Sequence, residues 1–414
     1  MTRRNAETEE CSYEFLRTDD CSKKTLLLPE CILRFIFMWP RSDVKKQKVF
    51  YLFSMILFIF TQWGLVRFLI VNFDDYTKSL NVVSSMSTIF QASLKMSVLL
   101  YHSRSLSLIL NDISHRFWPY DLLPNCTDRL RNSYRTKLVA MCTLSFTGLL
   151  FSLGSIVMPL LSHNAKELPY KCLYDFDTSV TPLYQIMYIT ESVLNAYIIN
   201  CTVLGFDFLF MGVGENLINQ YIMLRLTIEN FGTKWVTNFN NKIRKLGLAE
   251  HLEGEDNTVF LKNYISHHQI IIRSTKIVEN IFNLIAALQL CSSVVAICVS
   301  AFIATRENVG TAQIATMGSY LIGHLIQLNF YCAVGNDLLY ESNSLTNHMF
   351  ASNWYRIKNI SLQKDFIFVI KNAQVPAKIT AFKVFTLDYS TYIKVLRLSF
   401  SFYTLLSSLV EVKN

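Results

Sequence analysis

Seven long apolar segments alternate with polar stretches along the chain. Each is long enough for a membrane-crossing helix, which needs about 20 residues to span ~30 Å of hydrocarbon. The pattern therefore predicts an all-α membrane protein with seven transmembrane helices. The predicted spans are residues 49–71, 79–101, 138–161, 183–206, 281–304, 309–332 and 387–410.

Positive charge is distributed unevenly among the stretches that separate these segments. Of the 39 lysines and arginines, 30 lie in the leading tail and in alternate gaps, whereas 5 lie in the other gaps and after the last segment. Short cytoplasmic loops of membrane proteins carry the excess of Lys and Arg. The amino terminus is therefore predicted to be cytoplasmic, and an odd number of spans then places the carboxyl terminus outside.

Helical periodicity continues beyond two of the predicted spans. From Thr258 onward apolar positions recur about every 3.5 residues, so one helix is predicted over 258–304, about 70 Å long. The sixth span continues to Phe350, and a short helix is predicted over 362–373. With 240–257 as a mobile loop, these extensions predict a cytoplasmic anchor bundle. Separate amphipathic helices lying on the inner leaflet are the alternative.

The composition favours one membrane domain and leaves little room for catalytic chemistry. The 414 residues are 51% hydrophobic and 13% aromatic, which fits a single domain over 1–414. The net charge of +8 is concentrated on the predicted inner side, where anionic lipid explains it better than nucleic acid. Nucleotide-binding and zinc-protease motifs are absent, so no enzyme, cofactor or metal is expected. A transporter is disfavoured because no internal repeat occurs.

A polar stripe follows one face of the sixth span. Its members are Gln313, Thr316, Tyr320, His324 and Gln327. Polar groups in hydrocarbon must find partners, so this face is predicted to look into the protein or a wet cavity. The part around Thr316 and Tyr320 is interpreted as a pocket wall. For the deeper His324 and Gln327, hydrogen bonding between helices explains the stripe equally well.

The fourth span begins with a face that mixes aromatic, thioether and acidic groups. It consists of Tyr184, Met187, Tyr188 and Glu191. Such a face suits a small, mostly apolar ligand with one polar atom. Ordinary helix packing is the alternative for each residue except Glu191, because a carboxylate within a membrane has a function or a dedicated partner.

The last span combines two cations with small polar residues. Lys394 and Arg397 precede a series of hydroxyl side chains at 399, 401, 404, 407 and 408. Leu405 and Leu409 lie one turn apart among them, so several copies of this helix around an axis would stack two apolar rings that gate by dewetting. Alternatively, the serines allow close helix contact and the cations extend to the membrane surface.

Several short sequence elements resemble those of the insect odorant receptors and follow one another in that family's order. They are Phe37-Met38-Trp39-Pro40-Arg41, Leu168-Pro169-Tyr170, Tyr174-Asp175-Phe176-Asp177, Tyr331-Cys332-Ala333-Val334-Gly335-Asn336 with Trp354-Tyr355, and the ending from Thr380-Ala381-Phe382 to Thr404-Leu405-Leu406. The resemblance covers nearly the whole chain. The gap 207–280 lacks the extended insertion of the shared co-receptor, so the chain resembles the odorant-tuning subunit.

The resemblance implies a ligand-gated, cation-permeable channel in the plasma membrane of sensory neurons. It implies a heterotetramer with the odorant co-receptor, and a pocket for small volatile odorants near the outer membrane surface. The implied pocket walls are Met86, Phe90, Phe151, Ser155, Met158, Tyr184, Met187, Tyr188, Thr316, Met317 and Tyr320. The implied pore positions on the last span are Ser401, Leu405, Ser408 and Leu409.

Two other receptor classes compete with this interpretation. A gustatory-type chemoreceptor channel typically ends in a Thr-Tyr motif followed by Gln-Phe, which the last span lacks. A G-protein-coupled receptor also has seven spans, but its usual outer amino terminus conflicts with the charge distribution, and Asn-Pro-x-x-Tyr is absent. The odorant receptor is therefore the leading hypothesis.

Overall fold

The computed structural model describes residues 23–73, 76–123, 127–161, 166–248, 254–305 and 310–411, and its regular structure is helical apart from one short hairpin. The helices are α1 Leu27–Phe35, α2 Val44–Val71, α3 Tyr76–Tyr101, α4 Ser103–His115, α5 Thr127–Leu161, α6 Leu183–Val193, α7 Asn200–Ile228, α8 Trp235–Lys245, α9 Asp256–Ala304, α10 Thr311–Ala351, α11 Ile360–Ala373 and α12 Tyr389–Glu411. A π-helical turn, Leu194–Ile199, joins α6 to α7 without a break.

All seven predicted spans fall on helices of this bundle. Five lie wholly within α2, α3, α5, α6–α7 and α9, while the last two begin at α10 and α12, two residues later than predicted. By length and composition, four helical stretches of the described chain could cross a membrane: α2, much of α5, α6–α7 and α9. The other three are more polar because they carry Lys95, the stripe on α10, or Lys394 and Arg397.

Two helices run well beyond the predicted spans, as the periodicity indicated. Helix α9 has 49 residues and α10 has 41. At 1.5 Å per residue they are about 74 and 62 Å long. The extension of α7 to Ile228 was not predicted. Its positions 205–224 are buried on every side, polar Glu215 and Asn219 included, so the segment lacks the one-sided pattern that marks a helix.

The far ends of α9 and α10 form an anchor bundle together with α8 and α11. Aromatic rings join these helices: Phe231 stacks on Phe260 at 5.4 Å and on Phe366 at 4.9 Å between centroids. The helices therefore pack as one body rather than as separate amphipathic helices. The predicted loop 240–257 was partly wrong, because α8 includes Asn240 and ends at Lys245. Residues 249–253 lie outside the described chain.

A buried histidine fastens the anchor bundle to α7. The ring of His267 stacks on Trp118 at 4.0 Å, and its Nε2 lies 2.9 Å from Oε1 of Gln220. Burial, with a smaller contribution from His268, lowers the pKa of His267 to about 3. The imidazole is therefore neutral at physiological pH.

A hairpin connects the anchor bundle to the last helix. Strands β1 Thr380–Ala381 and β2 Phe385–Thr386 pair antiparallel, and the turn places Phe382 and Lys383 at φ 52° and 57°. The sequence did not predict this turn because such dihedrals favour Gly or Asn. Just before α12, Leu387 packs closely on Gly335 of α10. A Cβ added at position 335 would lie only 2.6 Å from the Cβ of Leu387.

Candidate functional site

A cavity of about 300 Å³ lies between α3, α5 and α10, beneath residues 166–182, here termed the capping segment. We call it the upper cavity. Its lining combines apolar side chains with nearly as many hydroxyl, amide and charged ones: Leu65, Val82, Ser84, Ser85, Phe151, Gly154, Ser155, Pro159, Glu167, Leu168, Pro169, Lys171, Gln313, Thr316 and Met317. A mixed lining of this kind is typical of small-molecule sites.

A glycine sets the spacing of the two helices that face each other across this cavity. A Cβ at Gly154 of α5 would overlap the side chain of Thr316 on α10. On α10, by contrast, a Cβ at Gly318 would meet nothing within 4 Å. The close approach of α5 and α10 therefore depends on Gly154 in particular.

A pair of aromatic rings lies next to the upper cavity, and one of them, Phe151, lines it. Phe151 and Tyr320 pack with ring centroids 4.8 Å apart. The Tyr320 hydroxyl lies 3.0 Å from Oγ1 of Thr88 and 3.3 Å from the Ser84 carbonyl oxygen, both on α3. Tyr320 is thus tied to a neighbouring helix, whereas Phe151 is held by packing alone.

A second, smaller space of about 70 Å³ lies on the other side of these rings, and we call it the lower chamber. Its lining mixes polar and apolar side chains, most of them from α3, α5, α7 and α10. The contributing residues are Thr88, Gln91, Leu144, Thr147, Gly148, Phe151, Ile199, Asn200, Val203, Leu204, Ser319, Tyr320, Gly323, His324 and Gln327. Phe151 lines both spaces, so the upper cavity and the lower chamber are adjacent.

A buried ion pair lies one helical turn beyond the lower chamber. Lys95 Nζ of α3 lies 2.7 Å from Oδ1 of Asp207 on α7, and both side chains are almost fully buried. Gln327 donates to Asp207 and accepts from Gln289 at 2.9 Å, while Tyr331 donates to Asp207 at 2.6 Å. This network joins α3, α7, α9 and α10 and saturates the carboxylate with donors.

The capping segment is held by a second buried carboxylate. Glu191 of α6 accepts hydrogen bonds from the Tyr170 backbone N–H at 2.9 Å and the Tyr174 hydroxyl at 3.0 Å. Burial and the charge of Glu191 raise the pKa of Tyr174, which keeps its hydroxyl protonated as a donor. Glu191 therefore has the dedicated partners that a membrane carboxylate needs, and they belong to the roof of the upper cavity.

The structure brings together some of the implied pocket residues and separates others. Phe151, Ser155, Thr316 and Met317 line the upper cavity, whereas Tyr320 lines the lower chamber and packs against Phe151. Tyr184, Met187 and Tyr188 form a separate cluster with Leu168 and Tyr174 of the capping segment. Met86 is half-buried against the core, and Phe90 is 53% exposed on a groove shared with α2. Met158 lies in α5, outside the side chains that the structure describes.

Sequence reasoning missed several residues of the upper cavity wall. Val82, Ser84 and Ser85 of α3 and the capping-segment residues line it, although none was predicted to do so. Small polar residues at consecutive positions of an apolar span were the available signal on α3. The capping segment carried no signal, because its position over the cavity depends on Glu191.

Helix α12 has one packed face and one open face. Tyr403 and Leu406 pack against Phe302 and Ile303 of α9. Ser401, Leu405 and Ser408 lie on the opposite side of the helix, and Leu405 is 53% exposed. The side chain of Leu409, the fourth implied pore position, lies outside those described.

Comparison with known proteins agrees with this architecture. The family model described as 7tm odorant receptor matches residues 75–400. Odorant receptor 13a of Drosophila melanogaster is 24% identical over 335 residues, which cover 74% of each chain. Odorant receptor Or1 of Anopheles gambiae is 28% identical over 143 residues, 34% of each chain. The solved olfactory receptor OR5 of Machilis hrabei, in complex with eugenol, superposes with a TM-score of 0.74 at 18% identity, covering 94% of this chain and 98% of OR5.

The fold is that of a multi-pass, all-helical membrane receptor with seven transmembrane helices. The extent of the family match then defines the group more closely. The chain belongs to the insect odorant receptor family, which is a family of receptors and not an enzyme class.

Proposed function

We propose that the chain is an odorant-tuning subunit that binds a small, mostly apolar odorant in the upper cavity. The observation that carries this proposal is a space of about 300 Å³ between α3, α5 and α10, roofed by the capping segment. Membership of the odorant receptor family supports the ligand class. Phe151, Met317 and Thr316 supply the dispersion contacts and hydroxyl that such a ligand needs.

The volume limits the size and affinity of the ligand. Small-molecule pockets range from about 300 to 1,000 Å³, so this one fits a ligand of roughly a dozen heavy atoms. At a few tenths of a kcal/mol per atom, binding contributes about 4 to 6 kcal/mol, which corresponds to dissociation constants from millimolar to tens of micromolar. Such affinity suits reversible sensing. Eugenol, found in complex with OR5 of Machilis hrabei, is a rational first probe.

We further propose that α12 lines a cation pore in a heterotetramer with the odorant co-receptor. One helix cannot enclose a pore, whereas a cyclic assembly can. The open face with Ser401, Leu405 and Ser408 suits this role because α12 uses its opposite face to pack on α9. Leu405 would supply an apolar constriction, with Leu409 one turn further on.

Helix α10 offers a direct connection between ligand and pore. It lines the upper cavity through Thr316 and Met317, and it packs against Leu387 at the base of α12 through Gly335. An odorant opens the pore only if it binds the open state more tightly than the closed one. The proposed orientation, with the amino terminus in the cytoplasm, rests on the distribution of cations, and the placement in a sensory neuron rests on the family resemblance.

Whole-cell recording with and without the co-receptor tests this proposal. An odour panel that includes eugenol is expected to evoke cation currents that need the co-receptor and no added GTP. Leu405→Ala is expected to alter gating or permeation, whereas Phe400→Ala, 66% exposed on another face of α12, leaves both unchanged. Currents that require GTP, or an amino-terminal tag accessible in intact cells, would contradict the proposal.

A further inference from the structure

Most polar groups that line the lower chamber have hydrogen-bond partners within the protein. Thr88 is bonded to Tyr320, the Thr147 hydroxyl donates to the Leu144 carbonyl at 2.9 Å, and the Ser319 hydroxyl donates to the Thr316 carbonyl at 2.7 Å. Asn200 donates to Ser152 and to the Asn195 carbonyl, and Gln327 belongs to the Asp207 network. These groups stabilise the walls and have little capacity left for a ligand.

Two polar atoms of the chamber lack a hydrogen-bond partner within the described ranges. They are Nε2 of Gln91 on α3 and Nδ1 of His324 on α10, and both are fully buried. The side chains are 5% and 6% exposed, and both line the chamber. Native proteins leave few buried polar atoms unpaired because the lost hydration is unfavourable. Two such atoms in one space indicate a site for a polar group.

The lower chamber is next to the upper cavity and of a size that suits such a group. About 70 Å³ accommodates one or two water molecules, or the polar end of a larger molecule. Phe151 stands between the two spaces and makes no hydrogen bond that would fix its ring. A rotation of this ring would join the spaces, whereas Tyr320 is held by α3.

We propose that the lower chamber is a specificity subsite for a hydrogen-bonding oxygen of the odorant. The inference rests on the proposed function and specifies its ligand class. The apolar part of the ligand occupies the upper cavity, and a carbonyl, ether or hydroxyl oxygen passes Phe151 to accept a hydrogen bond from the Gln91 amide. His324 donates or accepts at Nδ1 according to its tautomer, so a hydroxyl can be satisfied as well.

Such a subsite selects against ligands that lack the hydrogen-bonding oxygen. Without ligand, water fills the chamber and bonds Gln91 and His324. A hydrocarbon of the same shape displaces that water or leaves the chamber wet, and it returns no hydrogen bond to either side chain. Sites built around a buried polar contact reject the analogue that lacks it far more strongly than sites that measure size alone.

Matched ligand pairs test the subsite in cells that express the full chain with the co-receptor. We choose heptan-2-one against 2-methylhept-1-ene, and acetophenone against α-methylstyrene, because each alkene replaces the carbonyl oxygen with a methylidene group of similar size. The ketones are expected to be at least about tenfold more potent, the difference that one hydrogen bond supplies. Gln91→Met and His324→Leu are each expected to reduce this ratio to within about threefold.

The alkenes serve as an internal folding control, because they do not depend on the subsite and their responses should persist in both variants. Gln62→Leu is the control for substitution of a membrane amide outside the chamber, and this side chain is partly buried. Gln62 donates to the Met86 carbonyl at 2.8 Å and lines the groove between α2 and α3 rather than the chamber. It should leave the potency ratio unchanged. Thermal shifts of the purified complex with the same pairs give a readout that does not depend on gating.

The outcomes separate the subsite from the proposed function. If no compound of the odour panel evokes a current or a thermal shift, the proposed function itself is wrong. If odorants activate the channel but each ketone matches its alkene, the subsite is overturned and the odorant receptor stands. A ratio that survives both Gln91→Met and His324→Leu also overturns the subsite, since the chamber then holds only water.

Discussion

The lower chamber and the ion-pair network occupy successive turns of the same two helices, yet they differ in one respect. On α3, Gln91 precedes Lys95 by one turn, and on α10, His324 precedes Gln327 by one turn. Lys95 and Gln327 both bind Asp207, whereas Gln91 and His324 each keep one atom that has no partner in the described part of the chain. We call Lys95, Gln327 and Asp207 the saturated layer, and Gln91 and His324 the open layer. The saturated layer fixes the helices, and the open layer is available to a ligand.

The largest effect is expected from removing one member of the saturated layer. Asp207→Leu leaves the buried ammonium of Lys95 without its counter-charge, and Lys95→Met leaves the carboxylate without its cation. Breaking a buried pair in this way costs about 3–5 kcal/mol, whereas an apolar replacement of both partners is far milder. Surface expression and the thermal unfolding of the purified complex should fall in each single variant and recover in the double variant.

Single variants as stable as the native chain, or a double variant that loses the sum of the two single losses, would show that the pair does not contribute to holding α3 against α7. Gln91→Met provides the contrast from the open layer. Because Nε2 of Gln91 has no hydrogen-bond partner among the described residues, its replacement should leave expression and unfolding temperature close to those of the native chain.

The next largest effect is expected where α5 meets α10. Gly154→Ala places a methyl group against Thr316, and overpacking of this kind costs about 1–3 kcal/mol. The helices must separate or the upper cavity must change shape, so odorant potency should fall about tenfold. Gly318→Ala is the matched control, since its Cβ meets open space. Dose-response curves that coincide for the two variants would contradict the role of Gly154.

A smaller effect is expected from weakening the hydrogen bonds that hold the capping segment over the upper cavity. Tyr174→Phe removes the hydroxyl that donates to Glu191 and costs about 1 kcal/mol. The capping segment would then be held less firmly, and currents should decay faster after the odorant is washed out. Tyr184→Phe removes a hydroxyl that bonds the exposed Glu167 carbonyl at 3.2 Å and should change the decay less. If Tyr184→Phe accelerated the decay more than Tyr174→Phe, the role of the Tyr174–Glu191 hydrogen bond in holding the capping segment would be wrong.

The smallest effect is expected from the ion pair between Arg67 and Asp175. The side chains are 30% and 74% exposed, and surface pairs contribute about 0–1 kcal/mol. Arg67→Gln should therefore leave odorant potency within about twofold. A loss as large as that expected for Gly154→Ala would mean that exposed charge, rather than buried contacts, positions the capping segment.

The helices could be predicted because their signal is local. Apolar runs and their period located the seven spans, the continuation of α9 and α10, and the short helix α11. The exceptions have physical reasons. Helix α7 is surrounded by other helices and carries buried polar residues, so it lacks the one-sided pattern, and the hairpin turn at Phe382 uses residues that are atypical of its dihedrals.

The site could be predicted only in part. Helical periodicity identifies which residues share one face of a helix, but not which groups that face contacts. The stripe on α10 correctly indicated that Thr316 and Tyr320 face the interior. It did not distinguish Gln327, which binds Asp207, from His324, which has an unpaired atom. The sequence did not indicate a counter-ion for Lys95, since Asp207 lies 112 residues away.

The close contact between Gly335 and Leu387 has a mechanical consequence for α12. The contact fixes the start of that helix on α10, so the rest of the helix can tilt about this point. Leu405 lies 16 residues beyond Tyr389, a distance of about 24 Å along the axis. A tilt of about 5° therefore moves Leu405 sideways by about 2 Å. In the proposed ring of four subunits, angular changes of this size would set the width of the proposed constriction.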